Sequence, residues 1–267
     1  MTWTTQQRSD ATGGLRWIRR GEGAPVVLIH GVGLRAESWG AQIAALSEQF
    51  AVYAIDMPGH GESQGFAHVP VLADYTDAIA AAIATIGAPV AVAGHSMGGL
   101  VAMDLAIRHP RLCIGLIAAN AIFRRSTEAA AVVRARAAAM SDATVSDPAP
   151  VLQRWFGADQ DGEPAQACRR WLTSVDPTGY KKAYTVFAGE DGPPDDGLAG
   201  LACPALFYTG GDEPNSTPAM SRAMAELAPK GEARILDGAT HMMMMTHIED
   251  VNAAMRDFFL NCHEARP

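Results

Sequence analysis

The sequence predicts an α/β chain, a mostly parallel β-sheet with helices packed on both faces. Three observations carry that expectation. The 267 residues are 48% apolar and 19% charged, with 26 Gly and 16 Pro, a balance typical of soluble globular proteins and unlike disordered, collagenous or coiled-coil chains. Short β-branched runs alternate with stretches of helical periodicity, as in repeated βαβ units. The apolar runs are continuous rather than alternating, which fits strands buried on both faces.

Residues 26–29 form the first such run, ending at His30 and a Gly-rich turn, and residues 51–55 repeat the pattern before Asp56, Pro58 and Gly59. Between them Trp39, Ile43, Leu46 and Phe50 recur at helical spacing, and 71–86 does the same until Gly87 stops it. A strand at 90–93, a helix over 97–108 ended by Pro110, and a strand at 112–119 continue the order. The rhythm then fails. Across 121–200, Ala-rich helical pieces at 127–140, 165–173 and 180–187 are separated by Pro, Gly and Asp clusters. Strand 205–208, helix 219–227, strand 233–236 and helix 248–260 resume it. The expected organisation is therefore a core of residues 1–120 and 201–267 interrupted by a helical cap over 121–200. No repeat of 20 to 50 residues is visible.

Charge and cysteine usage exclude several function classes. A net charge of −8 sets up a field that repels phosphate backbones and anionic membrane surfaces, so neither nucleic acid nor membrane is an expected partner. Cys113, Cys168, Cys203 and Cys262 lie far apart with no C-x-x-C pair, against structural zinc and a redox motif. They read as reduced, mostly buried thiols. The first ten residues are polar and lack an apolar leader core, and no stretch approaches the about 20 apolar residues of a membrane span. Cytoplasmic residence is the default expectation.

Chemistry concentrates at strand ends. Gly94-His95-Ser96-Met97-Gly98 fits G-x-S-x-G directly after one predicted strand and directly before a predicted helix. In that context a strained turn projects the Ser96 hydroxyl above the sheet and aims the Met97 N–H at the same point. The bland alternative is a Gly-rich connection with an incidental serine. His30-Gly31-Val32-Gly33 follows the earlier strand, where the Val32 N–H could supply a second donor to an oxyanion; HG also occurs as a plain turn.

A serine hydroxyl needs a neutral imidazole to take its proton. Of eight histidines, His241 is the candidate, because it follows a predicted strand and the small residues Gly238, Ala239 and Thr240. His60, His95, His109, His247 and His263 read more simply as structural or solvated. A carboxylate should follow the next-to-last strand, and Tyr208-Thr209-Gly210-Gly211-Asp212-Glu213-Pro214 offers two adjacent acids. Consecutive side chains point in different directions, so only one can hold the imidazole. Phe123, Trp155 and Tyr184 are candidate substrate-contacting residues in the cap. Met242, first of four consecutive methionines, either lines an acyl pocket or, as the blander reading, fills space under the histidine loop.

With His30-Gly31, Asp56-Met57-Pro58-Gly59-His60-Gly61-Glu62-Ser63, the Ser96 motif with Gly99, and Gly238-Ala239-Thr240-His241 in that order, the chain resembles the α/β-hydrolase superfamily over nearly its whole length. The resemblance implies the α/β-hydrolase fold, a nucleophile, acid, histidine order, and no cofactor or metal. More finely, Arg154-Trp155-Phe156, Pro177-Thr178-Gly179-Tyr180 and Thr217-Pro218 look like the 3-oxoadipate enol-lactonases, and His30 to Leu34 resembles small carboxylesterases. Those enzymes carry the acid in G-x-x-D, which counted from Gly210 falls on Glu213 and leaves Asp212 one residue early. Relatives that are haloalkane dehalogenases or epoxide hydrolases carry Asp where this chain has Ser96.

The expected activity is hydrolysis of a small carboxylic ester or lactone through an acyl-enzyme on Ser96. Carbon–carbon bond hydrolysis and cofactor-free perhydrolysis use similar residues. A ligand receptor on the same fold, with slow or no turnover, is the rival from another class.

Overall fold

The computed structural model describes residues 2–264. Met1 and the last three residues, which the sequence reading assigns to the core, lie outside the described residues. In chain order the strands are β1 (Ser9–Asp10), β2 (Arg16–Arg20), β3 (Ala24–Ile29), β4 (Phe50–Asp56), β5 (Val90–His95), β6 (Cys113–Ala119), β7 (Ala205–Gly210) and β8 (Gly231–Leu236). Among the described residues they form one eight-stranded sheet in the order β1-β2-β4-β3-β5-β6-β7-β8, antiparallel for the first three and parallel beyond. β1 and β2 carry no clear strand signal in the sequence. Arg16, Arg19 and Arg20 leave β2 only Trp17 and Ile18 as an apolar signal, as is common where charge guards the margin of a sheet.

Alternation of side chains explains why β3 and β5 read as continuous apolar runs. Val27 and Ile29, with Val90 and Val92, face a core shared with Tyr75, Ile79, Met103 and Phe207. Val26 and Leu28, with Ala91 and Ala93, face a second core built on Trp39, Phe50 and Phe259. Each face is covered by helices, the first by α2 (Leu72–Ala84), α3 (Met97–Arg108) and α9 (Pro218–Leu227). The second is covered by α1 (Gly40–Leu46), α10 (Met243–Thr246) and α11 (Ile248–Glu264). Burying one such aliphatic side chain contributes about 1.5–3 kcal/mol, so the sheet is held from both sides.

Between β6 and β7 lie α4 (Thr127–Ala139), α5 (Ala149–Phe156), α6 (Glu163–Ser174), α7 (Pro177–Gly189) and α8 (Asp195–Ala199). The short helices α5 and α8 were not expected. Pro148 and Pro150 look like breakers in the sequence, but they stand at the start of α5, where a missing N–H costs nothing and a fixed φ suits the first turn.

Strand order sets the position of the site. The chain leaves β3 for β4 on one side and returns past it to β5 on the other, so the loops after β3 and β5 diverge and leave a crevice at the carboxyl ends of the strands. Register aligns those ends, pairing Ile29 with Gly94, His95 with Ala119, and Ala119 with Tyr208. The loop after β4 is fixed by Asp56, whose buried carboxylate accepts Arg8 Nε–H at 2.9 Å, Ala36 N–H at 2.8 Å and Glu62 N–H at 3.0 Å. Burial pushes the Asp56 carboxyl up, but the Arg8 guanidinium outweighs it and holds the group below the usual range.

Cys113, Cys168, Cys203 and Cys262 are all buried free thiols. Among the described residues, no helix is long and apolar enough to cross a membrane.

Candidate active site

Ser96 stands between β5 and α3 with φ 56° and ψ −118°, a left-handed conformation that only a well-determined turn sustains. Two glycines permit it. A Cβ on Gly94 would lie 1.9 Å from the Gly98 carbonyl oxygen, and one on Gly98 would lie 2.3 Å from that of Ile29. The Ser96 N–H donates to Ala119 O at 2.8 Å, tying the turn to β6. Met97 is the first residue of α3, so its N–H has no acceptor within the helix and is available to an anion.

His241 lies in the loop after β8, and its ring Nδ1–H donates to Glu213 Oε2 at 3.0 Å. Glu213 is buried, whereas its neighbour Asp212 is exposed. The second oxygen of Glu213 accepts the N–H groups of Asn215 at 2.8 Å and Ser216 at 3.2 Å. Burial alone would raise the Glu213 carboxyl, but the His241 ring and these two backbone donors outweigh it and hold the group below its usual value. It is therefore a carboxylate at neutral pH.

Three contacts fix the imidazole from behind. The His241 carbonyl accepts Asn120 Nδ2–H at 2.6 Å and His95 Nε2–H at 2.9 Å. Trp155 stacks on the ring, 5.6 Å between centroids and 25° between planes. Thr240 Oγ1–H donates to Trp155 O at 2.7 Å, joining the histidine loop to α5. Asn120, at the end of β6 with φ 46°, also accepts Gly210 N–H at 3.1 Å. One side chain thus joins the ends of β6 and β7 to the His241 loop.

The other buried histidines are structural. His30 donates Nδ1–H to Gly31 O at 2.8 Å and accepts Met57 N–H on Nε2 at 2.9 Å. His60 accepts Gly33 N–H on Nε2 at 3.0 Å and donates Nδ1–H to Pro58 O at 3.2 Å. These bonds define one neutral tautomer each. Burial pushes His30 down to about 3, with the nearby His60 adding to the shift, and burial lowers His60 and His95 as well.

Stability is expected to fall on acidification. The unfolded chain binds protons at these histidines that the folded chain excludes, so their contribution to stability is complete above the unfolded value of about 6.5 and is lost as pH falls toward the folded values. Each histidine removes up to about 1.4 kcal/mol of stability per pH unit in that window. Urea unfolding at pH 7 and pH 5 measures this, and equal midpoints would contradict it.

Ser96, His241, Val32, Trp155 and Tyr184 all line one cavity of about 430 Å³. Phe123 and Met242 do not, which corrects the expectation for Phe123 and leaves Met242 with the space-filling one of its two readings. Phe123 is turned into the core, with the Arg124 guanidinium over its outer face at 4.6 Å, and the residue before it, Ile122, lines the cavity instead. Met242 is fully buried in the second core, which also holds Trp39 and Met255. Arg125 and Arg136, not singled out from the sequence, also line the cavity, as do Arg154 and Tyr180, which the sequence offered only as part of the enol-lactonase resemblance. For Arg125 and Arg136 the only sequence signal is a basic residue in or beside a helical piece of unassigned packing.

The sequence matches that of the Alpha/beta hydrolase family over residues 26–254. The chain belongs to this family. It is 39% identical over 242 residues to the (E)-2-((N-methylformamido)methylene)succinate hydrolase of Acinetobacter baylyi, covering 90% of this chain and 92% of that one. Among solved structures, a thermophilic esterase from Thermogutta terrifontis with malate bound is similar with a TM-score of 0.85 and 28% identity, over 97% of this chain and 100% of that one. The enol-lactonase of Burkholderia xenovorans is similar with a TM-score of 0.82 and 25% identity, over 94% and 99% of the two chains.

Proposed function

We propose that this α/β hydrolase cleaves a small carboxylic ester or lactone through an acyl-enzyme on Ser96. The observation that carries the reading is the 3.0 Å bond from His241 Nδ1 to Glu213, made beside a cavity that His241 and Ser96 both line. With Nδ1–H committed to the carboxylate, the neutral ring keeps its lone pair on Nε2 and acts as general base for the Ser96 hydroxyl. Ser96 Oγ attacks the acyl carbon, and the Val32 and Met97 N–H groups receive the charge that develops on oxygen. His241 then protonates the departing alkoxide, and water, deprotonated by the same ring, releases the acid and restores Ser96. Glu213 stabilises the imidazolium in both halves. The helical segment 121–200 acts as a cap over the cavity and sets substrate choice.

A second reading applies the same machinery to an acyl–nitrogen bond. It is favoured by the Acinetobacter baylyi relative, whose named substrate bears an N-methylformamido group. The two differ only in the leaving atom that His241 protonates.

An organophosphonate probe tests the serine mechanism, since only an activated hydroxyl attacks it readily at neutral pH. The expected result is a single adduct on the peptide containing Ser96, together with multiple turnover of short p-nitrophenyl esters. Adducts elsewhere with Ser96 unmodified would overturn the mechanism, and ligand binding with no turnover would favour the receptor.

A further inference from the structure

Arg136 on α4 and Arg154 on α5 line the Ser96 cavity, and both also line an adjoining chamber of about 230 Å³. Val151, Tyr180 and Tyr184 are common to the two spaces, so the arginines stand at their junction. Among the described residues, neither guanidinium forms an ion pair with a carboxylate, and the lining of the larger cavity contains no Asp or Glu. Asp147 lines the smaller one. Arg136 instead donates to the Tyr184 hydroxyl at 3.2 Å. Some arginines elsewhere do pair with acids, as Arg108 does with Asp77 at 2.9 Å and Arg8 with Asp56 at 2.9 Å. Two neighbouring cations in the wall of the Ser96 cavity, with no acid in its lining, present a surface complementary to a ligand of opposite charge. Burial lowers Arg154, and the nearby Arg136 charge lowers it further.

The third arginine has a different task. Arg125 pairs with Asp191 at 3.0 Å, donates to Phe187 O at 2.8 Å and stacks over the Phe187 ring at 5.0 Å. It braces the approach to α4 against the end of α7, and its charge is already matched.

We propose that Arg136 and Arg154 form a carboxylate receptor, and that the substrate carries a free carboxylate in addition to the scissile acyl group. Guanidinium forks bind carboxylates with paired, charge-assisted hydrogen bonds, and here the half-buried Arg154 and the exposed Arg136 stand in the same lining as Trp155, Tyr180 and Tyr184. Because the overall field of the chain repels anions, capture depends on this local pair. The scissile group in this inference rests on the proposed function, whereas the receptor itself does not.

The test compares 4-nitrophenyl hexanoate with mono-4-nitrophenyl adipate, which differ only in a terminal methyl or carboxylate, and measures adipate binding to Ser96→Ala by titration calorimetry. Wild type should prefer the adipate ester in kcat/KM by at least about tenfold, and R136M/R154M should lower that ratio by about 30-fold or more, as expected for lost hydrogen bonds to a charged group. Adipate affinity should fall in parallel when the two changes are added to Ser96→Ala. If neither ester turns over but adipate binds and the double change abolishes binding, the receptor stands and the hydrolytic reading fails. Preference for the hexanoate ester by wild type, or absence of adipate binding to Ser96→Ala, would overturn the receptor.

Discussion

Replacing Ser96 with alanine is expected to lower kcat on the order of 10⁴–10⁶-fold while leaving the fold intact, in line with removal of the nucleophile from other serine triads. The change is confined to one oxygen. Alanine keeps the Cβ, so the turn at φ 56° is neither relieved nor worsened, and the Ser96 N–H bond to Ala119 O at 2.8 Å is a backbone bond that the variant retains. The clearance that Gly94 and Gly98 provide is likewise untouched. Thermal unfolding should therefore move by no more than a surface substitution would move it, and KM should change far less than kcat, because the cavity wall that holds the substrate is unaltered. Parallel measurement of kcat, KM and the unfolding midpoint separates loss of chemistry from loss of structure. A folded variant that turns over as wild type would exclude Ser96 as the nucleophile.

What the sequence makes legible follows from how local each signal is. The Ser96 turn is dictated by residues within two positions of it, and the strands on either side are continuous apolar runs because both their faces are covered. The His241 and Glu213 loops are placed by counting from strand ends, which register holds in line. Side-chain direction in an irregular segment is another matter. Ile122 and Phe123 are adjacent apolar residues after β6, and only tertiary packing, which seats Phe123 beside Gly192, leaves Ile122 to line the cavity. Arg136 sits in an Ala-rich helix with almost no amphipathic pattern, TEAAAVVRARAAA, so nothing in one dimension separates a cavity-facing arginine from a solvated one. Asn120 looks like any loop asparagine. Its three-way contact with Gly210, Thr240 and His241 joins residues about 90 to 121 positions apart, a distance at which sequence spacing carries no geometric information.

Glu213→Gln is expected to lower kcat on the order of 10³–10⁴-fold, close to the effect of an amide in place of the acid in other triads. The hydrogen-bond pattern around Glu213 determines why so conservative a change is so damaging. Its Oε1 accepts two backbone donors, Asn215 N–H at 2.8 Å and Ser216 N–H at 3.2 Å. A glutamine must therefore place its carbonyl oxygen there, since turning its NH₂ toward two N–H groups would leave buried donors unpaired. The NH₂ then occupies the position of Oε2, 3.0 Å from His241 Nδ1, and can only donate. His241 must accept on Nδ1 and carry its proton on Nε2, the tautomer that cannot take a proton from Ser96. Folding is preserved by the same bonds that misdirect the ring. Asp212→Asn supplies the contrast, because Asp212 is exposed and its structural contribution is a backbone N–H bond to Ala239 O at 3.0 Å, which the substitution keeps; its kcat should stay within about twofold of wild type. The pH dependence distinguishes a tautomer effect from a distorted site: activity of Glu213→Gln should recover partly as hydroxide rises and replaces the missing general base, whereas a collapsed loop would lose activity at every pH. Equal losses in the two variants, or a larger loss in Asp212→Asn, would move the acid to Asp212.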